Sequence, residues 1–193
     1  MSFIIIVELL IEENGEKANI LSNEVEFLNQ TRRSTEKNVL EEAETQIIQN
    51  SFTNIVYSDQ WSKGVLGIVA SRLIEGSYKP TIVMTDSDEQ FLTGSVRSVS
   101  GFDVYDALLK CENNIFQFGG HKYAAGLKVK KSNFESFKTQ FENTVKDSVS
   151  GKMFQKTFLY DLLIDFSEIT MENVKILQRM SPFGLGNKKP VFR

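Results

Sequence analysis

An α/β fold is predicted: a mixed β-sheet flanked by helices, preceded by a long connector helix and followed by an incomplete β-containing segment. Three observations predict it. "NIVYSD", "GVLGIVASRLIEG" and "PTIVMTD" read in succession as strand, helix and strand, the pattern of a right-handed parallel crossover. "FLTGSVRSV" and "AAGLKVK" add further strands close in sequence, so the sheet is mixed. Between Glu16 and Asn50 there is no proline, and Leu21, Val25, Leu28, Val39, Ala43 and Ile47 recur at helical spacing.

Taken in order, the apolar opening "MSFIIIVELLIEEN" is far short of a bilayer span, has no basic residues before it, and reads as a buried strand or as a segment that packs on something upstream. The segment after it is one long helix or two, since "NQTRRSTEKN" interrupts the stripe. Unbroken, it would extend roughly 50 Å, which suits a connector between domains, although a packed helical hairpin has the same pattern. Residues 1–50 form this N-terminal part. An α/β domain then spans residues 51–148.

Within that domain the first helix carries Val65, Ile68, Val69 and Leu73 on one face and ends at Gly76. "SDEQ" turns the chain into the third strand. "FDVYDALLKCENN" is helical, with Asp103 as its cap and Ala107, Leu108 and Cys111 inward. A glycine-rich loop, "FGGH", precedes "AAGLKVK". Ser132 and Glu135 then have capping-box spacing ahead of a helix with Phe134, Phe137, Phe141 and Val145 on one face. Residues 149–193 read as a linker and the start of a further domain: "KTFLYDLLID" as a strand, "TMENVKILQRM" as a short helix, and "SPFGLGNKKPVFR" as a turn into another strand.

Composition narrows the function. The 193 residues include 15 Phe and are 41% hydrophobic, enough for a substantial core, and carry a formal net charge of −3. Bulk electrostatic gripping of DNA is therefore disfavoured, and any nucleic-acid role must rest on a local site. One cysteine excludes an internal disulfide and points to a reducing cytoplasm. With one histidine, His121, and no Cys/His cluster, no metal site is expected in this chain.

Three stretches could carry chemistry. In "WSKGVLGIVASRL", Gly64 and Gly67 flank a helix start where free N–H groups favour an anion; glycines there equally serve close helix-to-sheet packing. In "TGSVRSV", Ser95 and Arg97 share a strand face, with Ser98 beside them. A hydroxyl and a guanidinium suit a phosphate, though a solvated polar face alternates in the same way. In "FGGHKYAAG", Gly119 and Gly120 remove side-chain bulk beside His121, which can donate to a phosphate oxygen or simply lie in solvent.

These stretches, in this order, resemble the DHH-associated domain of the RecJ family of bacterial single-strand-specific 5′ to 3′ exonucleases. "LLIEENGEKANILSNEVEFLNQTRRSTEKNVLEEA" is similar to the family's interdomain helix, and "SPFGLGNKKPVF" to the segment entering its oligonucleotide-binding fold. The resemblance implies an enzyme whose divalent cations, manganese or magnesium, are held by a DHH domain upstream. It implies Gly119, Gly120 and His121 as the loop facing the metals and the scissile phosphate, and Ser95 and Arg97 as holders of a terminal 5′ phosphate or of the nearby backbone, with Ser98, Gly64 and Arg72 beside the strand. Trp61 either stacks on a base or anchors the core. Single-stranded DNA with a 5′ end, the DHH domain and a single-strand-binding protein are the implied partners, with no membrane. Where the family commonly has histidine after the tryptophan, this chain has Ser62, to which no catalytic role is assigned. A DHH phosphodiesterase of short oligonucleotides or cyclic dinucleotides, and a non-catalytic single-strand-binding module, remain alternatives.

Overall fold

The computed structural model describes residues 3–148 and 156–193. The chain divides into two compact units, Met1–Gln155 and Lys156–Arg193. The boundary expected near residue 149 lies outside the described residues.

The apolar opening forms a helix, α1 (Phe3–Ile11), where a strand was expected. All five strands of the sheet lie between residues 54 and 130, so a strand here would lack a partner. A helix satisfies its own backbone, and tertiary context overrides the β-propensity of "FIIIV". The next segment is one uninterrupted helix, α2 (Gly15–Thr45), whose 31 residues span about 46 Å at 1.5 Å per residue. Asn14 caps it by accepting from the Lys17 N–H at 3.0 Å. Near its C-terminus Val39 and Ala43 are buried.

The sheet has the order β1-β2-β3-β5-β4, built from β1 (Asn54–Tyr57), β2 (Thr81–Asp86), β3 (Phe91–Arg97), β4 (Gln117–His121) and β5 (Ala124–Lys130). Only β1 and β2 are parallel, joined by helix α3 (Leu66–Gly76); the other pairs are antiparallel. Alternation assigns the two faces. Val56 and Val83 point into a cluster with Val65, Leu66, Val69, Ala70 and Leu73, beneath α3 and α2. Ile82, Met84, Leu92 and Val96 point the other way, toward α4 (Val104–Leu109) and α5 (Phe134–Ser148). Phe137 and Phe141 are fully buried there, each contributing roughly 1.5–3 kcal/mol of hydrophobic stabilisation. Cys111 lies in the same core, and burial raises its thiol pKa.

Asp103 caps α4 as expected, accepting from the Tyr105 and Asp106 N–H groups at 3.0 and 3.1 Å. The Ser132–Glu135 box does not form. Ser132 Oγ instead lies 3.0 Å from Asn133 Oδ1, and a 3₁₀ turn over Lys131–Asn133 leads into α5. The outer edge of β1 is closed by a side chain. Gln46 Nε2 donates to the Tyr57 carbonyl and Gln46 Oε1 accepts the Tyr57 N–H, both at 3.0 Å, which blocks pairing by another strand.

At the C-terminal ends of β1 and β2, Tyr57 donates to Asp86 at 2.7 Å and Lys131 pairs with the same carboxylate. The Asp86 hydrogen bond, with burial and the negative charge, pushes the Tyr57 phenol up to about 12. Folding therefore favours the protonated phenol. The contribution is complete below the unfolded tyrosine value near 10 and is lost as pH rises through about 12. Tyrosinate absorbance should show one late-titrating tyrosine, and Tyr57→Phe should remove that phase.

In the unit Lys156–Arg193, "KTFLYDLLID" is not a regular strand. Its pairing is a single parallel bridge, Leu162 to Phe192, with Asp161 N–H donating to Val191 O at 2.7 Å and Arg193 N–H to Leu162 O at 3.2 Å. The short helix appears as α6 (Met171–Arg179), capped by Thr170. Gly186, at φ +85°, turns the chain between Gly184 and Asn187.

Candidate nucleic-acid interface

Helix α3 covers β2 and β3 but leaves the same face of β5 and β4 open. Register places the residues of this shelf. Ser95 pairs with Gly126, which pairs with Gly119; two residues along, Arg97 pairs with Ala124, which pairs with His121. Ser95, Gly126, Gly119, Arg97, Ala124 and His121 thus share one face, in two adjacent rows. Two strand spacings separate Arg97 from His121, about 10 Å between their Cα atoms. Gly119, Gly126 and His121 are exposed, and a Cβ added to Gly119 would meet nothing within 4 Å. The floor between the cation and the imidazole therefore carries nothing larger than the Ala124 methyl, beside a row of two glycines.

Arg97 and Ser95 converge on the first turn of α3. A Cβ on Gly67 would lie 2.7 Å from Arg97 Nη2 and 3.6 Å from Ser95 Oγ, so a side chain there would push the guanidinium aside. No side chain caps the N-terminus of α3, leaving its first N–H groups beside that guanidinium. Arg97 Nη1 donates to the Val96 carbonyl at 2.9 Å, and among the described residues Arg97 forms no ion pair. A partly exposed guanidinium, a hydroxyl and a helix start without a side-chain cap are donor groups of the kind that suit an anion.

His121 ends β4. Its Nδ1 accepts from the Tyr123 N–H at 3.3 Å, which leaves Nε2–H as the donor of the neutral ring. The hairpin tip is held from the neighbouring loop: Val104 N–H donates to Lys122 O at 3.1 Å and Ser98 N–H to Tyr123 O at 3.0 Å. These bonds fix the backbone of the hairpin tip relative to β3, which ends at Arg97, one residue before Ser98. Gly120 has φ +152°, and a Cβ there would collide with the Ala124 carbonyl and the Ala125 backbone. Gly120→Ala should cost about 1–3 kcal/mol in a denaturant melt and loosen the hairpin that carries His121.

Several expectations are corrected. "FGGH" is not a loop but the edge strand β4, because the two-residue turn Lys122-Tyr123 folds it directly onto β5. Trp61 is 4% exposed and its Nε1–H donates to Glu42 Oε2 at 2.8 Å, so it anchors α2 and cannot stack on a base. Ser98 spends its hydroxyl on the Phe102 carbonyl at 2.7 Å, holding the loop before α4. Gly64 lies in a 3₁₀ turn (Lys63–Val65) where a Cβ would meet only Ser62 Oγ at 3.8 Å, so neither packing nor the anion site requires glycine. Arg72 points away from the shelf and pairs through Nε with the buried Glu36 of α2. Gly67, raised from sequence as either an anion or a packing glycine, lies against Arg97 and Ser95, and one shelf residue went unassigned, Gly126, whose signal was a glycine in register with "GG".

Divalent cations do not fit this shelf. Among the described residues no three His, Cys, Asp or Glu side chains come together as a metal site, and His121 is the only imidazole of the chain.

The DHHA1 domain model matches residues 46–147 and the RecJ OB domain model residues 160–193. The single-stranded-DNA-specific exonuclease RecJ of Bacillus subtilis is 30% identical over 188 residues, covering 95% of this chain and 24% of that protein. The same-named protein of Haemophilus influenzae is 32% identical, covering 96% and 34%. The crystal structure of RecJ in complex with Mg2+ from Thermus thermophilus superposes with a TM-score of 0.84 at 26% identity, over 97% of this chain and 29% of that one. The chain spans about a quarter to a third of the length of the curated relatives it matches.

Proposed function

The chain belongs to the DHHA1 domain family, and on that premise we propose that it is the strand-binding wall of a single-stranded-DNA-specific 5′ to 3′ exonuclease. The observation that carries this reading is the placement of Ser95, Arg97 and His121 on one open face, across a glycine floor. Arg97 and Ser95 bind the terminal 5′ phosphate by charge-assisted hydrogen bonds. Gly119 and Gly126 let the sugar–phosphate backbone lie close to the sheet. His121 donates Nε2–H to an oxygen of the scissile phosphate as charge builds there. The match to a RecJ OB domain over residues 160–193 favours this over a small DHH phosphodiesterase.

The divalent metal belongs to a DHH domain of the full-length protein. Crystal structures of RecJ proteins have been solved with Mg2+ and with manganese, and the shelf supplies no ligand set of its own. A cytoplasmic enzyme fed by a single-strand-binding protein is consistent with these features; no described helix is long and apolar enough to cross a membrane.

The experiment compares the chain with the full-length protein on 5′-phosphorylated, end-labelled single strands with Mn2+. Label should be released from the 5′ end by the full-length protein only. Hydrolysis by the purified chain, or no preference for single strands in the full-length protein, contradicts the proposal.

A further inference from the structure

A second cationic site lies where α2 meets α3, on the sheet face that carries the shelf. Glu36, 6% exposed, accepts from Arg32 Nη1 at 3.0 Å through one oxygen and from Arg72 Nε through the other. Both oxygens of the carboxylate are thus engaged, and one negative charge fixes two guanidinium groups side by side. Arg33 and Lys37 join them around an open cavity of about 530 Å³. Arg72 commits only Nε to Glu36, and among the described residues its terminal nitrogens and the Arg33 guanidinium have no partner. Lys37 is held only by a surface pair with Glu41 at 3.7 Å, worth little in water.

A concentration of four cations around one spent carboxylate is unusual in a chain of net charge −3. The clamp is structural, since it ties α2 to α3, but it also presents preorganised, outward N–H donors. Guanidinium forks suit phosphate oxygens. Arg72 follows Gly67 by five residues on α3, about 7.5 Å along the helix axis, so one helix borders both the cavity, lined otherwise by α2, and the Ser95–Arg97 site on β3.

We propose that this cavity binds backbone phosphates of the same single strand, beyond the nucleotides held at the shelf. The inference rests on the reading of the shelf as the 5′-end site. It makes Arg33, Lys37 and Arg72 a sequence-independent grip that long strands use and the shortest do not.

The test uses full-length protein in EDTA, so that strands bind without being cut, and measures affinity against salt for 5′-phosphorylated oligonucleotides of two lengths. Arg33→Gln with Lys37→Gln leaves the Glu36 clamp intact. The double variant should weaken binding of the long strand and lower its log K against log salt slope by about 0.7 per lost phosphate contact. A strand too short to leave the shelf should bind both proteins alike. An unchanged slope for the long strand overturns the inference. A fall in melting temperature with an unchanged slope also overturns it, and assigns the cations to the stability of the fold. Arg97→Ala is assayed in parallel: if it leaves short-strand binding intact, the shelf reading itself fails.

Discussion

His121→Ala in the full-length protein should lower kcat for single-strand hydrolysis by about 100-fold, the scale of losing one donor placed at developing charge. Strand affinity in EDTA should change little. The split follows from the proposed placement: the imidazole is exposed, ends a hairpin pinned by the Val104 and Ser98 N–H groups, and on the proposed reading donates to an oxygen whose charge builds only as the phosphodiester bond breaks. Because no buried contact of His121 holds the fold, the variant should melt with the wild type. Single-turnover rates and equilibrium binding separate the two parameters. Equal loss in affinity and rate would make His121 a ground-state contact instead.

Trp61→Ala should destabilise the protein by about 3–5 kcal/mol, the range for removing a buried aromatic. The side chain is 4% exposed in the cluster beneath α3, and its indole N–H is the donor that engages Glu42 of α2. A denaturant melt measures the loss. Trp61→Phe retains the ring volume in part but drops the N–H, so it should fall between wild type and alanine. A base-stacking residue would behave oppositely, costing strand affinity while leaving the melt unchanged.

Much of this was legible in the sequence because period and turn chemistry agreed. β1, α3 and β2 follow from alternating and helical apolar runs ended by Gly76, and α5 from Phe137, Phe141 and Val145 at helical spacing. Where local signals conflicted with what the sheet could offer, they misled. "FIIIV" has strand propensity but no strand to pair with, and "FGGH" has loop composition but a partner two residues away. The Ser-x-Arg pair was legible from strand alternation. Its relation to Gly67 was not, since no sequence spacing reports that a helix turn will rest against a guanidinium projecting from β3. Trp61 and Arg72 were drawn into the site because their neighbours belong to it; burial in one case and a partner 36 residues away in the other set them apart.

The central claim is that Arg97, with Ser95, holds the strand by its 5′ phosphate. It is tested most directly by the ratio of kcat/KM for 5′-phosphorylated over 5′-hydroxyl single strands, in wild-type and Arg97→Ala full-length protein. The wild type should prefer the phosphorylated strand, and the variant should lose about 1.5–3 kcal/mol on that substrate alone, bringing the ratio close to one. A ratio unchanged by the substitution would contradict the assignment of this face as the 5′-end site.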